Sequence, residues 1–293
     1  MIDLSIIILS YNTKELLREC IRSIRASRSL EIIVVDNASS DGSVEMVKED
    51  FKDMILIANK ENIGYTKGNN QGVKKAKGRY ILFLNADTVV YRGTLETMIA
   101  FMDEHTEVAS ATCRVELPNG RLDDSCHRGF PTPWRSFCHF LSLAKTFPKS
   151  KLFAGYSLGY LDLTTTHEID SCSGAFMIVR REAGEQVGWW DEDFFWYGDD
   201  LDFCYRLKEK GWKVYFVPTV KILHYKGVSG GIKKISQHLT TASKETVIRA
   251  TNARFDAMKK FYKKHYISKY PRLVTWIVML AISLKRWMSL RSA

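Results

Sequence analysis

The chain has 293 residues, of which 45% are hydrophobic and 26% charged, a balance that excludes a disordered default and allows a core larger than a single ordinary domain needs. Its formal net charge of +10 is confined to one end. Residues 1–240 carry 31 Lys or Arg against 31 Asp or Glu, whereas residues 241–293 carry 12 against 2, and 12 − 2 = +10 accounts for the whole excess.

Met1 leads almost directly into apolar Leu4–Leu9, with Asp3 where a secretory signal would be basic, so the chain is expected in the cytoplasm. LSIIILSYN (Leu4–Asn12) reads as a buried strand ending in the polar residues Ser10, Tyr11 and Asn12. Apolar Leu16, Leu17, Cys20, Ile21 and Ile24 then mark one face of a helix over Lys14–Ala26. Strand Glu31–Val35 and the turn DNASSDGS (Asp36–Ser43) follow, and Asp41 or Ser43 can cap a helix over Val44–Phe51. Such a βαβ unit brings Ser10–Asn12 and Asp36–Ser39 to the same sheet edge, where open α/β sheets bind ligands.

A second unit comprises strand Met54–Ala58, a loop over Asn59–Gly72, a short helix to Lys77 and a strand within RYILFLNADTVV (Arg79–Val90). Glycines 64, 68 and 72 are expected to let backbone approach a ligand, with Asn62 and Asn70 adding neutral hydrogen-bonding groups. The apolar run Tyr80–Leu84 ends at Asn85, Ala86 and Asp87. An Asp there can reach a divalent metal and, through it, a diphosphate; an Asx turn would use the same residues. Neither GxxxxGK[ST] nor GxGxxG occurs, which argues against a P-loop or a dinucleotide fingerprint.

Residues 112–170 give little periodicity, and HRGFPTPWRSF (His127–Phe137) reads as a loop over a cleft. Asp199, Asp200 and Asp202 precede the amphipathic run Phe203–Lys208. Carboxylates in a first helical turn offset the macrodipole, and Asp202 with Arg206 makes an i,i+4 pair. Adjacent Asp199 and Asp200 beneath aromatic Phe194–Tyr197 also repel each other, which raises one pKa toward the range of a general base. The six cysteines form no CxxC pair, which speaks against a zinc site or disulfide framework and for a reducing compartment.

LSIIILSYN, VVDNASSDGS, NIGYTKGNNQG and ILFLNAD, in this order, resemble the nucleotide-binding half of the inverting family 2 glycosyltransferases, especially their bacterial rhamnosyltransferase-like branch. Ser173–Ser229, from SGAFMIV through GDDLDFC to ILHYKGVS, resembles the same branch's acceptor and catalytic half. The resemblance implies a GT-A-like, Rossmann-like α/β fold with a mixed, mainly parallel sheet flanked by helices. It further implies a nucleotide-binding half over about residues 1–111 and an acceptor half over about 112–240, ahead of the basic tail over 241–293. The family's Asp-x-Asp metal motif matches Asn85-Ala86-Asp87, its base motif matches Asp199-Asp200, and the His that follows the next strand matches His224. Asp200 is the expected base with Asp199 in reserve. Asp87 and His224 are the expected ligands of Mn²⁺ or Mg²⁺, which suit one carboxylate, one imidazole and phosphate oxygens better than zinc does. Ser10, Tyr11, Asn12, Asp36, Asn37, Asn62, Gly64, Asn70, Asn85, Ala86 and Gly174 form the expected nucleotide-sugar set. The implied reaction moves a sugar, L-rhamnose from dTDP-L-rhamnose first and a UDP-hexose or UDP-N-acetylhexosamine second, to a glycan or lipid-linked acceptor. A catalytically silent nucleotide-sugar-binding scaffold is the alternative of another class.

In the tail, Val247, Ile248, Ala250, Phe255, Met258, Phe261 and Tyr262 among many lysines predict an amphipathic helix within Thr241–Tyr270. The uncharged run Leu273–Leu284 extends about 18 Å as a helix, short of the ~30 Å hydrocarbon core, and is followed by Lys285, Arg286, Trp287 and Arg291. These features predict a helix lying in an anionic membrane surface on the cytoplasmic face, with packing on the domain or in a homo-oligomer as the alternative. The neutral body offers no nucleic-acid recognition motif, so no nucleic-acid partner is expected.

Overall fold

The computed structural model describes residues 2–227 and 243–291. The first unit follows its hydrophobic pattern: β1 (Leu4–Ser10), α1 (Lys14–Ser23), β2 (Leu30–Asp36), α2 (Ser43–Asp50) and β3 (Ile55–Ala58). Next come α3 (Tyr65–Lys75), β4 (Tyr80–Asn85), β5 (Thr88–Val90), α4 (Thr94–Glu104) and β6 (Val108–Glu116). The acceptor half supplies α5 (Pro133–Phe140), α6 (Leu143–Thr146), β7 (His167–Ile169), β8 (Phe176–Arg180), α7 (Arg181–Val187), α8 (Asp199–Glu209) and β9 (Lys213–His224). The tail forms α9 (Lys244–His265) and α10 (Arg272–Arg291).

The described strands make one sheet in the order β3-β2-β1-β4-β8-β6-β9-β5, with β7 also paired to β9. β1 to β4 run parallel, β8 opposes both its neighbours, and β6 and β9 return to the first direction. Six strands thus point one way and β5, β7 and β8 the other. Helices flank this mostly parallel sheet, which is a GT-A-like α/β arrangement. Ile6, Ile7 and Ile8 on β1 are all fully buried, as expected of a strand covered on both faces. The expected division at 111/112 falls inside β6, so both halves share a sheet rather than meeting at a linker. The end of the second matching block at Ser229 and the boundary at 240/241 lie outside the described residues.

Three local readings change. The loop expected over Asn59–Gly72 ends at Gly64, and α3 already contains Gly68 and Gly72. A Cβ on Gly68 would lie 2.4 Å from Leu9 Cδ1, and one on Gly72 2.6 Å from Ile7 Cγ2. These glycines bring a helix close to β1 rather than backbone close to a ligand. Within HRGFPTPWRSF, the loop stops at Thr132, whose side chain caps α5 by accepting from Arg135 N, with Pro133 opening the helix. Finally, α10 reaches 20 residues, beyond the uncharged run of twelve, and is long and apolar enough to cross a membrane by length and composition. Its length therefore does not exclude a span, as the shorter run had suggested.

α10 nonetheless packs on α9: Arg286 bonds Asn252 at 2.9 Å and Asp256 at 2.7 Å, and Ile282 is buried. α9 in turn docks on α8 through Phe194, Tyr205, Ala257, Phe261, Tyr262 and Tyr266. Asp202, 1% exposed, ties the two helices by meeting Arg206 at 2.8 Å and Lys264 and His265 at 2.7 Å each. The six cysteines are all free and buried.

Candidate active site

A cavity of about 1250 Å³ opens at the carboxyl ends of β1 and β4 and extends past the start of α8 to the tail helices. Strand register brings its first group together. Thr88 on β5 pairs with His224 on β9, so Asp87, one residue before β5, meets His224 with Oδ1 at 3.3 Å from Nε2. Asn85 Nδ2 lies 3.4 Å from the same nitrogen. On its other side His224 Nδ1 contacts Asp123 Oδ2 at 2.9 Å, and Lys226 pairs with the remaining oxygen of Asp123. Burial disfavours an imidazolium here, but Asp87 and Asp123 outweigh it and raise His224 to about 9. Burial likewise opposes ionisation of Asp123, yet His224 and Lys226 hold it well below the usual carboxylate range.

The second group stands at the N-terminus of α8. Tyr197 (φ 71°) and Gly198 (φ 73°) both adopt left-handed backbone and turn the chain so that Asp199 and Asp200 enter the cavity. Burial, and then the charge of Asp200, push Asp199 well above the ordinary carboxylate value. Asp200 Oδ2 instead forms an ion pair with Arg128 Nη2 at 2.5 Å. Burial opposes the charge on Arg128, and Asp200 outweighs it, so the guanidinium rises above its ordinary pKa. The carboxyl that burial raises is thus Asp199, named in reserve, whereas Asp200, the expected base, is the one paired with Arg128.

The aromatic segment before α8 is clamped by the start of α3. Tyr65 N donates to Phe195 O at 2.9 Å, Thr66 Oγ1 donates to Phe194 O at 2.6 Å, and Asn70 Nδ2 donates to Trp190 O at 3.0 Å. Gly64 (φ +90°) is required because a Cβ would lie 2.7 Å from the Phe195 ring, and a Cβ on Gly174 would lie 1.9 Å from Tyr65 Oη. Trp134 and Trp196 line the cavity, while Trp190 is core against Phe83 and Phe203.

Ser10, Tyr11, Asn37, Asn62, Gly64, Asn85, Ala86, Asp87, Gly174, Asp199, Asp200 and His224 line the cavity together. Asn12, Asp36 and Asn70 lie outside its lining. Asn12 Oδ1 accepts from Ser40 N at 2.8 Å, and Asp36 accepts from Ser39 N at 2.8 Å and Oγ at 2.6 Å, so both shape the turn after β2. Asn70 is held by Trp190 and Glu192. Sequence reasoning missed Arg128, Asp123, Tyr65 and Ser173. The buried Ser173 Oγ has no hydrogen-bond partner among the described residues and lies on the cavity wall. For Asp123 the signal was the acidic doublet Asp123-Asp124, and Arg128 stood among several arginines in a segment without periodicity.

The Glycosyl transferase family 2 model matches residues 5–188, well over half the chain. The chain belongs to that family. It is 24% identical over 237 residues to the N-acetylglucosaminyl-diphospho-decaprenol L-rhamnosyltransferase of Mycobacterium tuberculosis, covering 77% of this chain and 76% of the relative. Identity to the rhamnosyltransferase WbbL of Escherichia coli is 27% over 230 residues, or 75% and 82% of the two chains. Among solved structures, S. aureus TarS in complex with UDP-GlcNAc superposes with a TM-score of 0.56 at 16% identity, over 98% of this chain and 73% of that one. TarS in complex with UDP gives 0.52 at 17% identity over 88% of this chain and 65% of that chain. These likenesses agree with the rhamnosyltransferase-like branch and with a GT-A fold. α8, with Asp199 and Asp200, lies beyond the family-model match.

Proposed function

We propose that this chain is an inverting, metal-assisted glycosyltransferase that moves L-rhamnose from dTDP-L-rhamnose to a sugar carried on a polyprenyl diphosphate, in the synthesis of a cell-surface polysaccharide. The observation that carries the reading is the meeting, in one cavity, of the strand-end pair Asp87 and His224 with the helix-start pair Asp199 and Asp200. Ser10, Asn37 and Asn62 line the nucleotide end. Asp87 and His224 would hold Mn²⁺ or Mg²⁺. With one carboxylate and one imidazole, such a hard cation would take its other ligands from phosphate oxygens and water. When bound, that cation neutralises charge on the leaving diphosphate. Asp123 orients His224 from behind by accepting at Nδ1.

Asp200 takes the proton of the acceptor hydroxyl as its oxygen bonds the anomeric carbon; the bond to the diphosphate breaks and its electron pair leaves with the phosphate oxygen. Asp199 is the base in reserve. The names of the mycobacterial and E. coli relatives support a rhamnosyl donor and, for the former, a decaprenyl-diphosphate acceptor. The TarS complex with UDP-GlcNAc favours a second reading, a UDP-N-acetylhexosamine donor. The chain works at the cytoplasmic membrane surface, docked by the basic tail. A thermal-shift screen of dTDP- and UDP-sugars with Mn²⁺ tests the donor, followed by turnover with the stabilising sugar. Stabilisation by a UDP-sugar alone replaces rhamnose, and absence of turnover with any donor leaves only a binding scaffold.

A further inference from the structure

α10 presents two apolar rows. Leu273, Trp276, Leu280, Leu284 and Trp287 are each at least half exposed and do not line the cavity. Val274, Ile277, Val278, Ala281 and Ile282 form a wall of the cavity that holds Asp200. A helix resting on a soluble protein needs one apolar face; a second is accounted for only by another apolar occupant. The opposite wall is α5 and the residue after it, where Phe137 (50% exposed), Phe140 (39%) and Leu141 (58%) are too open for core residues. The two walls approach where Lys285 Nζ lies 4.5 Å from the Phe140 ring centroid.

Cations occupy the same cavity. Arg254 has no carboxylate or hydrogen-bond partner among the described residues, and the guanidinium of Arg249 rests 4.9 Å from the Phe195 ring centroid. An apolar trough joined to two arginines with no carboxylate partner among the described residues, and to a carboxylate pair, is complementary to an amphiphile with an anionic head. We propose that the trough between α5 and α10 holds the isoprenoid chain of the acceptor, with Arg249 and Arg254 facing its diphosphate and the sugar hydroxyl directed to Asp200. This rests on the lipid-linked acceptor proposed above and assigns the residues that select the lipid.

Equilibrium binding of isopentenyl diphosphate (C5) and farnesyl diphosphate (C15) to the full chain tests the trough without any sugar transfer. Wild type is expected to bind C15 at least about tenfold more tightly than C5, because added buried methylenes strengthen binding. Ala281→Trp, which fills the trough from α10, and Phe137→Ser, which opens it from α5, should each bring C15 to within about twofold of C5, with nucleotide binding and melting temperature as fold controls. Leu273→Glu, on the outer row, should keep the preference. Equal binding of C5 and C15 by wild type, a preference untouched by both trough variants, or one lost equally in Leu273→Glu would overturn the assignment. Transfer to a diphospholipid-linked sugar at a rate indifferent to chain length and to both trough variants removes the trough and leaves the acceptor reading standing. A chain-length preference with no transfer to any such sugar does the reverse.

Discussion

Asp202→Asn isolates the joint between the catalytic helix and the tail. The carboxylate is 1% exposed, and burial alone would raise its pKa; His265, Arg206 and Lys264 outweigh burial and lower it from 3.8 to about 2. At about 1.4 kcal/mol per pKa unit, this corresponds to about 2 kcal/mol of stability. Removing one member of a buried ion pair often costs about 3 to 5 kcal/mol, because its partners are stranded. Here Lys264 keeps Asp191 at 2.6 Å, and Arg206 keeps the carbonyls of Val187 and Trp189, so the smaller figure should apply. The sign follows from the lowered pKa: the contribution is complete above the unfolded value near 4, falls to roughly half by about pH 3, and vanishes below about 2. Urea unfolding of wild type and variant should therefore differ by about 2 kcal/mol at pH 7 and by about 1 kcal/mol at pH 3. A difference below about 0.5 kcal/mol at pH 7, or one independent of pH, would refute the clamp.

Asp200→Asn should lose about a hundredfold or more in turnover with donor affinity near wild type, and the opposite outcome with Asp199→Asn moves the base by one residue. Asp87→Ala and His224→Ala should each weaken metal-dependent binding of the nucleoside diphosphate while sparing the nucleoside; calorimetry with and without chelator measures this, and full wild-type activity in excess chelator sinks the metal. Gly72→Ala places a methyl 2.6 Å from Ile7 Cγ2 and should cost about 1 to 3 kcal/mol by denaturant titration, whereas an exposed surface loop would tolerate it. Removal of residues 271–293 should leave the chain sedimenting poorly with anionic liposomes, each basic residue lost being worth up to about 1 kcal/mol at the surface, while nucleotide binding persists.

The βαβ units were legible because strands buried on both faces produce continuous apolar runs, and such runs end where the chain turns polar. Leu4–Ser10 and Tyr80–Asn85 needed no tertiary information. α3 was misplaced for a physical reason. Two glycines and two asparagines within it lower helix propensity, and contact of Gly68 and Gly72 with β1 supplies what propensity lacks. The region over 112–170 stayed dark because its order comes from distant partners. Arg128 pairs with Asp200, 72 positions later, and Asp123 with His224, 101 positions later, and no local periodicity encodes either.

The active site divides along the same line. Asp199 and Asp200 are neighbours in sequence, so their repulsion could be anticipated; which of them would be raised depended on Arg128, which pairs with one and leaves the other to burial. Asp87 and His224 are 137 positions apart, and only resemblance joined them in the sequence. In the fold their meeting has a plain cause, the antiparallel register of a three-residue strand against β9 that sets Thr88 opposite His224. A one-residue slip of β5 in that short pairing would carry Asp87 away from His224, while the longer pairing of β9 with β6 would keep His224 in place. β5 gives little pairing of its own to prevent this. The imidazole held between two carboxylates therefore fixes the register as much as the register places the imidazole.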